Sequence, residues 1–237
     1  MNNTIRILQC NTDNLRYGVE YITKLLPKAD LLFLQRFPKE YKEKLTESSG
    51  HRVFMLESCP KGNLCLAIAK TTGLITFIDT EAIVLPSHDA VLESKDEWQG
   101  CTALRTVING VNFINFLPAY ELKNENNECS MSDFYRKSDI DFILKKFKDE
   151  PTVIIGDFHV KPNADGTNTL LQKFGFKSFI DDAKSFKPCK DKAAFNLDKC
   201  ISNIDITVDD IEVYDTVYTE RGHYAISYNL HIPELDK

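Results

Sequence analysis

The sequence contains no Cys-x-x-Cys pair, no half that is net basic, no linker-like run of Pro, Gly and Ser, and a single tryptophan, Trp98, in 237 residues. Each absence narrows the possibilities. The cysteines (Cys10, Cys59, Cys65, Cys101, Cys129, Cys189, Cys200) are odd in number and scattered, which argues against a disulfide framework and for a reducing compartment. Met1 is not followed by the basic and then apolar segments of a secretion signal, so an intracellular protein, cytoplasmic or nuclear, is expected. No apolar run approaches the ~20 residues needed to cross a bilayer, so no transmembrane segment is expected.

Charge of one sign is also missing. Residues 1 to 100 carry 12 basic and 13 acidic groups and the remainder 17 and 22, for a net charge of -6. Binding to nucleic acid depends on neutralising phosphates, so such a partner would have to meet a local patch. What is present is apolar: 43% of the residues are hydrophobic and 15 are Phe, enough for one sizeable core, and residues 1–237 read as a single domain.

The chain reads as strands and helices in a definite order. Thr4 to Cys10 alternates apolar and polar residues and runs into the polar loop Asn11-Thr12-Asp13-Asn14. Val19, Ile22, Leu25 and Leu26 share a helical face that should stop near Pro27, and Ala29 to Gln35 is an apolar strand ending at Arg36. A polar helix over 39–48 is expected, then strands over 51–57, 64–70, 74–78, 102–108 and 111–117, with 86–100 a loop. Ser132 to Lys148 has helical spacing with a capping start. It leads into Thr152-Val153-Ile154-Ile155-Gly156-Asp157-Phe158-His159, a β-branched run without polar alternation, as expected of a strand covered on both faces. A turn over 162–166, a helix over 168–174 and strands over 203–208, 211–214 and 224–232 complete the prediction.

The candidate site residues are Asn11, Asp13, Arg36, Asp157, His159, Asp205 and His223, each at or just past a predicted strand end. In this order the chain resembles the endonuclease/exonuclease/phosphatase superfamily. Ile5 to Leu15 is similar to its first strand and Asn-x-Asp-x-Leu loop, Ala29 to Arg36 to its "LQE" strand, and Pro151 to His159 to "vIxGDFN". Ile204-Asp205 is similar to "rID", Arg221 to Tyr224 to "SDHyP", and Arg136 stands where a helical Arg is common. The resemblance implies an α/β fold of two packed mixed β-sheets flanked by helices. It also implies catalytic roles for His223, Asp157 and His159, phosphate contacts for Asn11, Arg36 and Arg136, and a metal set of Asp13, Asp157 and Asp205.

Four of the family's polar positions are changed: its metal-binding Glu is Arg36, the Asn of "GDFN" is His159, the Asp of "SDH" is Gly222, and the His or Tyr of the middle strand is Leu117. Magnesium needs hard oxygen ligands. A dication and a guanidinium ~5 Å apart at an effective dielectric of ~20 repel by roughly 6 to 7 kcal/mol. Gly222 should leave His223 without an orienting carboxylate, whereas Arg36 could grip phosphate oxygens itself. The sequence thus favours a binding or structural pseudoenzyme with no cofactor, engaging a nucleic acid or phosphoester through a residual groove, or a protein partner; it sets no oligomeric state. The alternative is an active phosphodiesterase or nuclease using Mg or Mn at a rearranged site, and below it a phosphatase or sphingomyelinase-like lipid phosphodiesterase.

Overall fold

The computed structural model describes residues 4–12, 19–49, 53–57, 64–70, 75–89, 102–119, 132–160, 165–188, 193–214 and 222–234. Two six-stranded mixed sheets face each other. The first contains β1 (Thr4–Asn11), β2 (Leu31–Pro38), β3 (Val53–Glu57), β4 (Leu64–Lys70), β12 (Thr207–Tyr214) and β14 (Ala225–His231), in the order β12-β14-β1-β2-β4-β3. The second contains β5 (Ile78–Val84), β6 (Thr102–Ile108), β7 (Val111–Leu117), β8 (Thr152–Asp157), β9 (Lys177–Ser178) and β11 (Asp198–Ser202), in the order β5-β6-β7-β8-β11-β9. The parallel pairs are β1 with β2 and β7 with β8. A short antiparallel pair, β10 (Phe186–Lys187) with β13 (Gly222–His223), stands apart from both.

The period of two along each strand builds the layers. Ile5, Ile7, Leu31 and Phe33 of the first sheet meet Phe113, Val153, Ile155 and Cys200 of the second in the central core. Leu8, Leu32 and Leu34 point outward to α1 (Val19–Leu25) and α2 (Lys42–Ser49) through Ile22, Leu25 and Leu45. Ile114, Phe116 and Ile154 point the other way, onto Ile140, Ile143, Leu144 and Phe147 of α3 (Ser132–Phe147) and Leu171 of α4 (Asp165–Lys173). Among the described residues no helix is long and apolar enough to cross a membrane.

The middle of the chain departs from the sequence reading. The strand expected over 74–78 is instead β5 at Ile78–Val84, an edge strand whose residues are mostly exposed, so no clean alternation marked it. Of the strand expected over 203–208, residues 203–206 form a turn and 207–208 begin β12, while β11 ends just before it. β11 was hidden because its flanks are rich in Lys and Asp, and β12 was expected as two pieces, over 203–208 and 211–214, because the acidic residues between them face solvent.

Candidate functional site

The central core ends in polar groups because the strands outrun their apolar residues. On β1 the inward series Ile5, Ile7 continues to Gln9 and Asn11; on β8 the series Val153, Ile155 continues to Asp157; on β11 Cys200 is preceded by Asp198. Asn11, Asp157 and Asp198 are all buried at this one end of the sheet pair. Asp157 and Asp198 are directly opposite in the β8/β11 register.

Gly156 lets the end of β8 lie close to β7, since a Cβ there would come within 1.9 Å of the Phe116 carbonyl oxygen. Beyond Asp157 the chain turns back at His159, held at φ 51°. The backbone N–H of His159 donates to Asp157 Oδ1 at 2.9 Å, a local turn of the kind Asp favours.

The Asp157 carboxylate is surrounded. Asn11 Nδ2 donates to Oδ2 at 2.8 Å, the His159 ring approaches Oδ1 at 3.4 Å through Nδ1, and His223 Nε2 approaches Oδ2 at 3.5 Å. The other nitrogen of His223, Nδ1, faces Asp198 Oδ2 at 3.6 Å. Phe186 covers the His223 ring at a centroid distance of 4.8 Å. The His159 and His223 side chains are only 7% and 5% exposed, which puts these approaches in a low-dielectric setting.

The two carboxylates titrate apart. Burial pushes Asp157 upward, but the charges of His159 and His223 and the bonds from Asn11 and the His159 N–H outweigh it and hold the group below the usual carboxylate range. Burial pushes Asp198 up, and the neighbouring Asp157 charge adds to the effect. His159 is lowered to about 4: burial is the main cause, Asp157 opposes it, and the positive charges of His223, Arg36 and Arg136 reinforce it.

The structure therefore brings Asn11, Arg36, Arg136, Asp157, His159 and His223 to one region. Arg136 sits on α3, paired with Asp133 one turn earlier. Asp13 lies outside the described residues. Asp205 does not join the group; its side chain is 89% exposed and paired with Lys177 at 2.9 Å. Leu117 is buried in the central core.

The expectation that Gly222 deprives His223 of a carboxylate is overturned, because Asp157 and Asp198 face its two ring nitrogens. Asp198 was missed in the sequence. The run Leu197-Asp198-Lys199-Cys200-Ile201-Ser202 shows no clean alternation, and charged residues precede it. Gly222 itself has φ 130°, a conformation that side chains rarely adopt.

Sequence comparison finds no matching family model and no matching curated protein. Structural comparison does find similar folds. An endonuclease/exonuclease/phosphatase from Bacteroides vulgatus superposes with a TM-score of 0.69 at 13% identity, covering 97% of this chain and 99% of the other. D. rerio TDP2 complexed with single-strand DNA product gives 0.65 at 13% identity over 97% and 99%. The 3′ phosphatase NExo from Neisseria, bound to a product DNA hairpin, gives 0.65 at 13% identity over 94% and 98%. The chain thus has the DNase I-like fold, two packed mixed sheets flanked by helices, of the endonuclease/exonuclease/phosphatase superfamily.

Proposed function

We propose that this protein is a single-domain phosphoester-binding member of that superfamily which has lost metal-dependent catalysis. The observation that carries the reading is the state of Asp157, whose two carboxylate oxygens are already engaged by Asn11, the His159 N–H and two imidazoles. A divalent cation needs several free oxygen donors, and no three His, Cys, Asp or Glu side chains among the described residues are placed to hold one. Arg36 puts a fixed cation beside the site, close enough that its charge bears on His159. Among the described residues, these donors match poorly the several oxygen ligands that Mg or Mn takes.

Phosphate fits better. Arg36 and Arg136 supply guanidinium forks and Asn11 an amide, the groups that grip phosphate oxygens. Nucleic acid is the phosphoester favoured, since TDP2 and NExo are both seen with DNA. At a net charge of -6 the contact has to be local, at the site.

Calorimetric titration tests this. Inorganic phosphate should bind, Arg36→Ala should weaken the binding at least tenfold, and MgCl2 or MnCl2 should give no heat at millimolar concentration. Metal-dependent cleavage of a phosphodiester that disappears in Asp157→Ala would overturn the reading. One observation favours an active phosphodiesterase or nuclease instead: the opposed shifts of Asp157 and Asp198 around His223 are the pattern of an acid and base pair. Asp198→Asn decides that case, because it should then lower turnover without touching phosphate affinity.

A further inference from the structure

Strand β2 changes face at Arg36. Its residues pair regularly with β4 from Leu31↔Lys70 to Leu34↔Ala67, and then Phe37 pairs with Cys65, so Gln35 and Arg36 together oppose Leu66. The layers record the same extra residue. Leu32, Leu34 and Phe37 all lie on the outer, helix-facing side, although 34 and 37 are an odd number apart. Without the bulge Arg36 would sit on that outer face and Phe37 on the inner one. With it, Arg36 takes φ 52° at the edge of the site.

The bulge is held by a side chain from the other sheet. Asn115, fully buried on β7, occupies the inward series Val111, Phe113, Leu117, whose other members are apolar. Its Nδ2 donates to the carbonyls of Leu34 and Ala67, each at 2.9 Å, which are the last regular pair before the bulge. Its Oδ1 accepts from Gln35 Nε2 at 2.6 Å, the first bulged residue. From the β1 side Thr12 completes the hold, with its N–H on the Gln35 carbonyl at 2.9 Å and its hydroxyl on the Arg36 carbonyl at 2.8 Å. A buried amide with both ends bonded across two sheets specifies one register, because any slip would leave it unpaired in an apolar layer.

We propose that Asn115 is a positioning residue that locks the β2 bulge and thereby directs Arg36 into the site. Asn115 stands outside the carboxylate cluster; it acts on Arg36 through the Leu34 and Ala67 carbonyls and the Gln35 side chain. The inference deepens the proposed function, on which only its phosphate arm rests.

The test combines a crystal structure of Asn115→Leu with calorimetric titration of inorganic phosphate. The variant should lose the positive φ at Arg36, and its phosphate affinity should fall at least tenfold, to the level of Arg36→Ala. The double variant Arg36→Ala/Asn115→Leu should bind no more weakly than Arg36→Ala alone, which a general loss of packing would not produce. Asn115→Ser, smaller and still polar, serves if the Leu variant does not fold, and the same two outcomes are expected of it. Arg36 retaining φ near 52° overturns the inference whatever the phosphate result. Wild-type protein that ignores phosphate overturns the proposed function instead, and the backbone of the variant still decides the role of Asn115.

Discussion

Acid should weaken this fold through His159. The imidazole is lowered to about 4 by burial, and an unfolded histidine titrates near ~6.5. Between those values the unfolded chain holds a proton on residue 159 that the folded chain does not. The group's contribution is therefore complete above pH ~6.5 and declines as pH falls toward 4. At about 1.4 kcal/mol per pH unit the gap amounts to about 3 kcal/mol. Asn is the control substituent: it cannot titrate, and it tolerates the left-handed backbone at φ 51°. Asp139, raised by burial and bonded to Ser87 and Ala119, acts in the opposite sense but is the same in wild type and variant and cancels in the comparison. Urea unfolding followed by circular dichroism at pH 7, 6, 5 and 4 reads the effect. Relative to His159→Asn, the wild type should lose about 3 kcal/mol over that range, which at a slope on the order of 3 kcal/mol per M moves its midpoint down by about 1 M. Parallel stability curves for the two proteins would refute the argument that an uncharged, buried imidazole sits beside Asp157.

Three further substitutions probe the frame of the site. Gly156→Ala should cost about 3 kcal/mol or more in chemical denaturation, because its Cβ would meet the Phe116 carbonyl at 1.9 Å; a loss under about 1 kcal/mol would show that β7 and β8 separate easily. Gly222→Asp, which places a carboxylate beside His223 as in the resembled motif, should destabilise by roughly 1 to 3 kcal/mol from its φ of 130° and create no metal-dependent cleavage, as followed by thermal unfolding and a phosphodiester assay. Asp139→Ala strips the acceptor from the Ser87 N–H at 2.9 Å, the Ser87 hydroxyl at 2.6 Å and the Ala119 N–H at 2.9 Å. It should cost about 3 kcal/mol by urea unfolding, against about 1 kcal/mol for Ser87→Ala.

Much of this could be read along the chain. Alternation or unbroken apolar runs marked β1, β2, β4, β6, β7, β8 and β14, and a period of 3.6 marked the face of α3 that carries Ile140, Ile143, Leu144 and Phe147. Those elements bury a continuous face, and burial is what enforces the pattern. β5 was misplaced and β12 split in two because both are edge strands where solvent relaxes the demand for alternation, whereas the buried β11 was missed between its charged flanks.

By itself the sequence determined which chemical groups stand at the strand ends: Asn11, Arg36, Asp157 and His159 each follow an apolar run that must stop where the core stops. Only the tertiary structure decided which groups meet. Asp198 reaches His223 through an antiparallel register 41 positions from Asp157, while Asp205, seven residues further on, turns to solvent and Lys177. The placement of Arg36 was likewise beyond the sequence, because one extra residue in β2 reverses its face, and the amide that holds that residue in place comes from the opposite sheet.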